Sequence, residues 1–159
     1  MMFQQLKLAG FKSFADIAKL DIEEGLTGIV GPNGCGKSNI VEALKWVMGE
    51  SSARQMRGTE MDDVIFSGTS NKTARNLAEI SLMLDNQQKT APSEYNDTEE
   101  IEITRKIIRG KGTSYWINNR PARARDVQLL FADSATGARS AGIVSQGRIG
   151  AIVGAKPED

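Results

Sequence analysis

Eight consecutive residues, Gly31-Pro32-Asn33-Gly34-Cys35-Gly36-Lys37-Ser38, constrain this chain more than anything else in it. They fill every fixed position of the phosphate-binding pattern G-x-x-x-x-G-K-[ST]. Glycines at 31, 34 and 36 open backbone conformations that side chains forbid, so successive N–H groups can converge on one anion. The flanks agree with this reading. Leu26 to Val30 reads as a short buried strand, and Asn39 to Met48 as a helix with Ile40, Val41, Ala43, Leu44 and Val47 on its apolar side. Gly49 is placed to close that helix. Such a helix turns the positive end of its dipole towards the anion. Lys37 then reaches the β- and γ-phosphates of a nucleotide, and Ser38 offers its hydroxyl to Mg²⁺. Cys35, inside the loop, reads either as a small filler or as a thiol activated by Lys37 and the helix start.

The remaining composition removes several classes of chemistry. The chain has 159 residues, 20 basic and 20 acidic, so its formal charge is zero and charge placement has to carry any electrostatic argument. No histidine is present, which excludes imidazole metal ligation and histidine acid–base catalysis, and a single cysteine excludes an internal disulfide. No apolar run reaches the roughly 18 residues of a membrane span, and the first residues lack the continuous apolar core of a secretion signal. A cytoplasmic protein without a membrane partner is the simplest fit.

Along the chain, Phe3 to Ala9 and Ile17 to Ile22 read as strands around a Gly10 and Lys12-Ser13 turn. Met61 to Phe66 reads as a short extended segment. Ala78, Ile80, Leu82 and Leu84 alternate along a strand, Asn86 to Asp97 reads as an exposed loop, and Ile101 to Ile108 as another strand. Gly110-Lys111-Gly112 signals a hairpin with Ser114 to Ile117 as its second arm, and Asn118 to Pro121 a further turn. Ala122 to Phe131 reads as a short helix, Gly142 to Ser145 as a strand, and Gly147 to Val153 as the start of a helix. The order predicts an α/β P-loop core carrying an antiparallel β subdomain. The short final helix suggests a piece of a longer chain.

Five segments in order narrow the class: Gly10-Phe11-Lys12-Ser13-Phe14, Gly31 to Val41, Met56-Arg57-Gly58, Asp62 to Gly68, and Ser145-Gln146-Gly147. Together they closely resemble the N-terminal head segment of bacterial structural-maintenance-of-chromosomes (SMC) proteins, over essentially the whole chain. The resemblance implies the N-terminal lobe of an ABC-type ATPase head over residues 1–159, cut before the coiled coil, with ATP and Mg²⁺ as cofactors. It implies a nucleotide-binding run of Pro32, Asn33, Gly34, Cys35, Gly36, Lys37, Ser38 and Asn39. Gln146 becomes the Q-loop glutamine that, with Ser38, contacts Mg²⁺ and also holds the attacking water. Arg57, Lys12 and Ser13 fall near the nucleotide, and Asp63 near the adenine side.

The implied partners are the C-terminal head lobe of the same chain, a second SMC head in a homodimer, a kleisin subunit and DNA, at the nucleoid. The implied work is chromosome condensation, organisation and segregation, with ATP binding driving head engagement. The stretch Ser134 to Gly142 departs from the commoner bacterial version, which often has a tyrosine near Ala141. No Leu-Ser-Gly-Gly signature and no apolar run ending in Asp-Glu occurs, so this segment alone is expected to hydrolyse ATP very slowly or not at all. A related long-coiled-coil DNA-repair ATPase, a small stand-alone nucleotide kinase or switch protein, and a transporter ATPase are the rival readings.

The charge distribution is uneven within its zero sum. Arg105, Lys106, Arg109, Lys111, Arg120, Arg123 and Arg125 fall in a stretch without a single acid. Glu94, Asp97, Glu99, Glu100 and Glu102 lie just upstream. A basic hairpin bearing Tyr115 and Trp116 suits the phosphates of DNA. The alternative is a solvated β face that pairs with the acidic stretch.

Overall fold

A computed structural model of the chain describes residues 2–22, 37–49 and 61–132. Among these residues six strands form one antiparallel sheet: β1 (Met2–Ala9), β2 (Ala18–Asp21), β3 (Leu77–Asp85), β4 (Glu100–Ile108), β5 (Gly112–Ile117) and β6 (Arg120–Ala122), in the order β2-β1-β3-β4-β5-β6. Period-two patterning sets the register. Leu6 and Leu8, then Ala78, Ile80, Leu82 and Leu84, then Ile101, Ile103 and Ile107 all face one side and are buried. Helix α1 (Lys37–Val47) packs on this face over β3 and β4, and α2 (Ala124–Ala132) packs against β5. From α1, Ala43, Trp46 and Val47 enter the core at the spacing of one helical face.

Three sequence expectations change. Met61–Val64 winds into a single 3₁₀ turn instead of a strand. Val64, Ile65 and Phe66 are buried in succession, which a pleated strand facing one core cannot achieve; of the three, Ile65 bridges to Phe11. The loop after β3 is organised from within. Asn86 is fully buried, its amide nitrogen donates to the carbonyls of Tyr95 and Thr98, and its oxygen accepts from the Ala91 N–H. The turn expected at Asn118 to Pro121 is shorter. Asn118 and Asn119 adopt φ +50 and +64, the geometry of a two-residue hairpin, and the chain then pairs as β6. Pro121 is tolerated there because β6 is the edge of the sheet.

Candidate functional site

The glycine loop itself, residues 31–36, lies outside the described residues, as do Arg57 and Gln146; the loop includes the expected site residues Pro32, Asn33, Gly34, Cys35 and Gly36. Helix α1 begins at Lys37, immediately after that loop, so Lys37 and Ser38 stand in its first turn. The turn that follows β1 is fastened against this end of the helix. Gly10 sits at φ +67, and a Cβ there would meet the Leu77 carbonyl oxygen at 2.2 Å, so only glycine fits. Phe11 is fully buried, with its ring 5.6 Å from that of Trp46. The Lys12 N–H donates to the Val64 carbonyl at 2.6 Å, and the Phe66 N–H to the Gly10 carbonyl at 2.7 Å.

These anchors bring two expected site residues to α1. The Asn39 amide donates to the Ser13 hydroxyl at 2.9 Å. The Lys12 ammonium pairs with the Glu42 carboxylate, and the two side chains are only 14% and 7% exposed, so little water screens the pair. Asn39 and Glu42 are three residues apart on α1 and so share a face. Sequence reasoning does not single out Glu42. Its signal is an acid placed beside the apolar positions of a helix. Lys12 holds φ +46, an uncommon conformation for a lysine, so its backbone is fixed by its neighbours. Asp63 lies exposed in the 3₁₀ turn, while its neighbour Asp62 accepts the Gly110 N–H at 3.2 Å and ties the β4–β5 hairpin to the same region.

The other end of α1 meets a buried cation. Arg105, 1% exposed, donates through Nη1 to the Trp46 carbonyl at 2.7 Å and through Nε to the Thr113 hydroxyl at 2.9 Å. Its guanidinium carbon lies 4.2 Å from the Trp46 ring centre and 4.6 Å from that of Tyr115. A desolvated cation–π contact contributes about 2 kcal/mol, and a cation at a helix C-terminus complements the dipole. The Gln128 amide of α2 adds a bond to the Gly49 carbonyl at 3.1 Å.

This geometry corrects the reading of one continuous basic hairpin. Arg105 and Tyr115 belong to the core, since Arg105 continues the alternation of Ile101 and Ile103. Lys106 lies on the outer face of the sheet, 3.5 Å from Glu79 and 5.7 Å from the Trp116 ring centre, beside a hollow of about 330 Å³. The rest divide between the two ends of β5. Arg109 and Lys111 flank the hairpin tip, where Arg109 donates to the Arg75 carbonyl at 3.2 Å. Arg120 opens β6 and Arg123 and Arg125 stand at the start of α2, all three exposed, with the Arg123 guanidinium 3.4 Å from Asp126. Among the described residues no helix is long and apolar enough to cross a membrane, and no group of three His, Cys, Asp or Glu side chains is arranged to hold a metal.

The family model for the RecF/RecN/SMC N-terminal domain matches residues 2–139. The chain belongs to this family. Within it, the chain is 57% identical over 158 residues to the chromosome partition protein Smc of Rhodopseudomonas palustris, and 43% identical over 159 residues to that of Bacillus subtilis. It aligns over 99% and 100% of its own length but spans only 14% and 13% of theirs. A solved head from work on ATP-driven dimerization and DNA-stimulated activation of SMC ATPases superposes with TM-score 0.87 at 30% identity, covering 99% of this chain and 94% of the other. An Smc head bound to the C-winged helix domain of ScpA gives TM-score 0.88 at 32% identity, covering 99% and 48%. The RecF/RecN/SMC chain therefore has the fold of the N-terminal lobe of an ABC-type P-loop ATPase head, with its antiparallel β subdomain described by β1 to β6.

Proposed function

We propose that residues 1–159 form the ATP-binding part of an SMC head acting in chromosome partition. The carrying observation is the glycine loop whose last residues, Lys37 and Ser38, open α1 beneath the fastened Lys12-Ser13 turn. The loop backbone from Pro32 to Gly36 cradles phosphate oxygens, Lys37 neutralises their charge, and Ser38 and Gln146 hold Mg²⁺. Gln146 also orients water, and Arg57 lies beside the nucleotide. Lys12, Ser13 and Asn39 line the same side of the site, with Asp63 towards the adenine.

ATP hydrolysis belongs to the full protein, because this stretch has no signature motif and no Walker B acid. The C-terminal lobe of the same chain and a second head complete the site, and nucleotide acts as a switch on head engagement. The solved Smc head that carries ScpA supports a kleisin partner. The work is chromosome condensation and segregation at the nucleoid, in the cytoplasm. For DNA, the exposed Arg120, Arg123 and Arg125 offer an edge that the buried Arg105 does not.

Titration calorimetry of the full-length protein with Mg-ATP tests the reading. Each charge-assisted hydrogen bond contributes about 1.5–3 kcal/mol, so Lys37→Ala is expected to weaken binding about 10- to 100-fold. Unchanged affinity in the folded variant overturns it.

A further inference from the structure

We infer that Arg105 is a positioning residue that couples the nucleotide helix to the basic edge at the start of α2. The inference rests on the nucleotide and DNA reading above and assigns the part that joins the two surfaces. Arg105 lies between the tail of α1 and β5. Its guanidinium binds the Trp46 carbonyl at 2.7 Å, at the tail of the helix whose head carries Lys37 and Ser38. The same group reaches β5 twice, through the Thr113 hydroxyl at 2.9 Å and the Tyr115 ring at 4.6 Å. Tyr115 pairs across the sheet with Ala122, and Arg123 follows directly.

A shorter tie runs beside this one, from Gln128 of α2 to the Gly49 carbonyl. Contacts between neighbouring elements thus join the basic edge to the tail of α1. The backbone hydrogen bonds of α1 link its tail to the first turn that carries Lys37 and Ser38, so the proposed coupling runs along the helix. A leucine or methionine would fill the same core volume without gripping a helix carbonyl and a strand hydroxyl at once. The planar fork of Arg105 makes both bonds in fixed geometry, which a lysine cannot do.

The test uses the full-length protein and compares ATP turnover with and without saturating duplex DNA, alongside Mg-ATP affinity and DNA affinity. Arg105→Met is expected to keep Mg-ATP affinity within about threefold while the stimulation by DNA falls towards one. Arg105→Lys, which keeps the charge and loses the fork, is expected to restore part of that stimulation. Thr113→Val removes a single bond at an exposed position, so it keeps the measurement available if Arg105→Met does not fold, and it is expected to lower stimulation about twofold or more. Stimulation at the wild-type ratio in Thr113→Val and in any folded Arg105 variant overturns the inference. A wild-type protein that binds no Mg-ATP, or whose turnover ignores DNA, overturns the underlying reading instead, and is recognised because it fails before any variant is compared.

Discussion

Gly10 shows how tightly one residue can be specified. Its φ of +67, and the 2.2 Å at which any Cβ would approach the Leu77 carbonyl oxygen, leave no side chain a place. Gly10→Ala is expected to destabilise the fold by about 1–3 kcal/mol through backbone strain alone, and by more once the sheet shifts to relieve the clash. Urea denaturation of the two proteins checks this, and equal midpoints would refute it. The motif around Gly10 is legible in the sequence as a turn. Glu42 is not legible as the partner of Lys12, because a pairing across 30 residues depends on how the turn packs. Arg105 misleads for a related reason. Its charge suggests the surface, while its position in the alternation of Ile101, Ile103 and Ile107 points inward.

Among the elements, β3, β4 and β5 are legible because alternating apolar residues leave little choice of register. The 3₁₀ turn at Met61–Val64 is not, since the apolar run Val64-Ile65-Phe66 reads as a strand until its burial on both faces is known. Helix α2 starts two residues later than the sequence suggests, and its start is explained by Asp126. That carboxylate accepts the Arg123 N–H at 2.9 Å, so it satisfies a backbone donor at the helix entrance. The bond from the Arg123 backbone holds the Asp126 carboxyl below its ordinary value of 3.8, with the Arg123 and Arg125 charges helping. A lowered folded value means that this contribution is complete above the ordinary carboxylate range and is lost as pH falls through the folded value. Asp126→Asn is therefore expected to lower stability at neutral pH and to reduce its decline under acid. Thermal melts at neutral and acidic pH would show the two proteins converging as pH falls; a constant gap would contradict the assignment.

For the molecule as a whole, zero net charge conceals a local arrangement of exposed cations along which an anionic polymer can lie. Exposed cations gather at the start of α2, while Glu100 and Glu102 lie at the near end of β4. Reversing Arg123 and Arg125 to glutamate in the full-length protein is expected to weaken duplex binding and to flatten its salt dependence. The slope should fall by about 0.9 for each phosphate that is no longer neutralised. Binding measured across a salt series checks this, and an unchanged slope excludes this edge as the contact surface. The expected strands at Leu26 to Val30 and Gly142 to Ser145, and Gln146, fall outside the described residues. The chain's two indoles differ sharply in setting. Trp46 is sealed at 0% exposure under Arg105, whereas Trp116 lies on the outer face beside Lys106. Phenylalanine at position 116 would remove the outer emitter from this segment and leave Trp46 as an intrinsic fluorescent gauge of strain at the foot of the phosphate helix, readable without any attached dye.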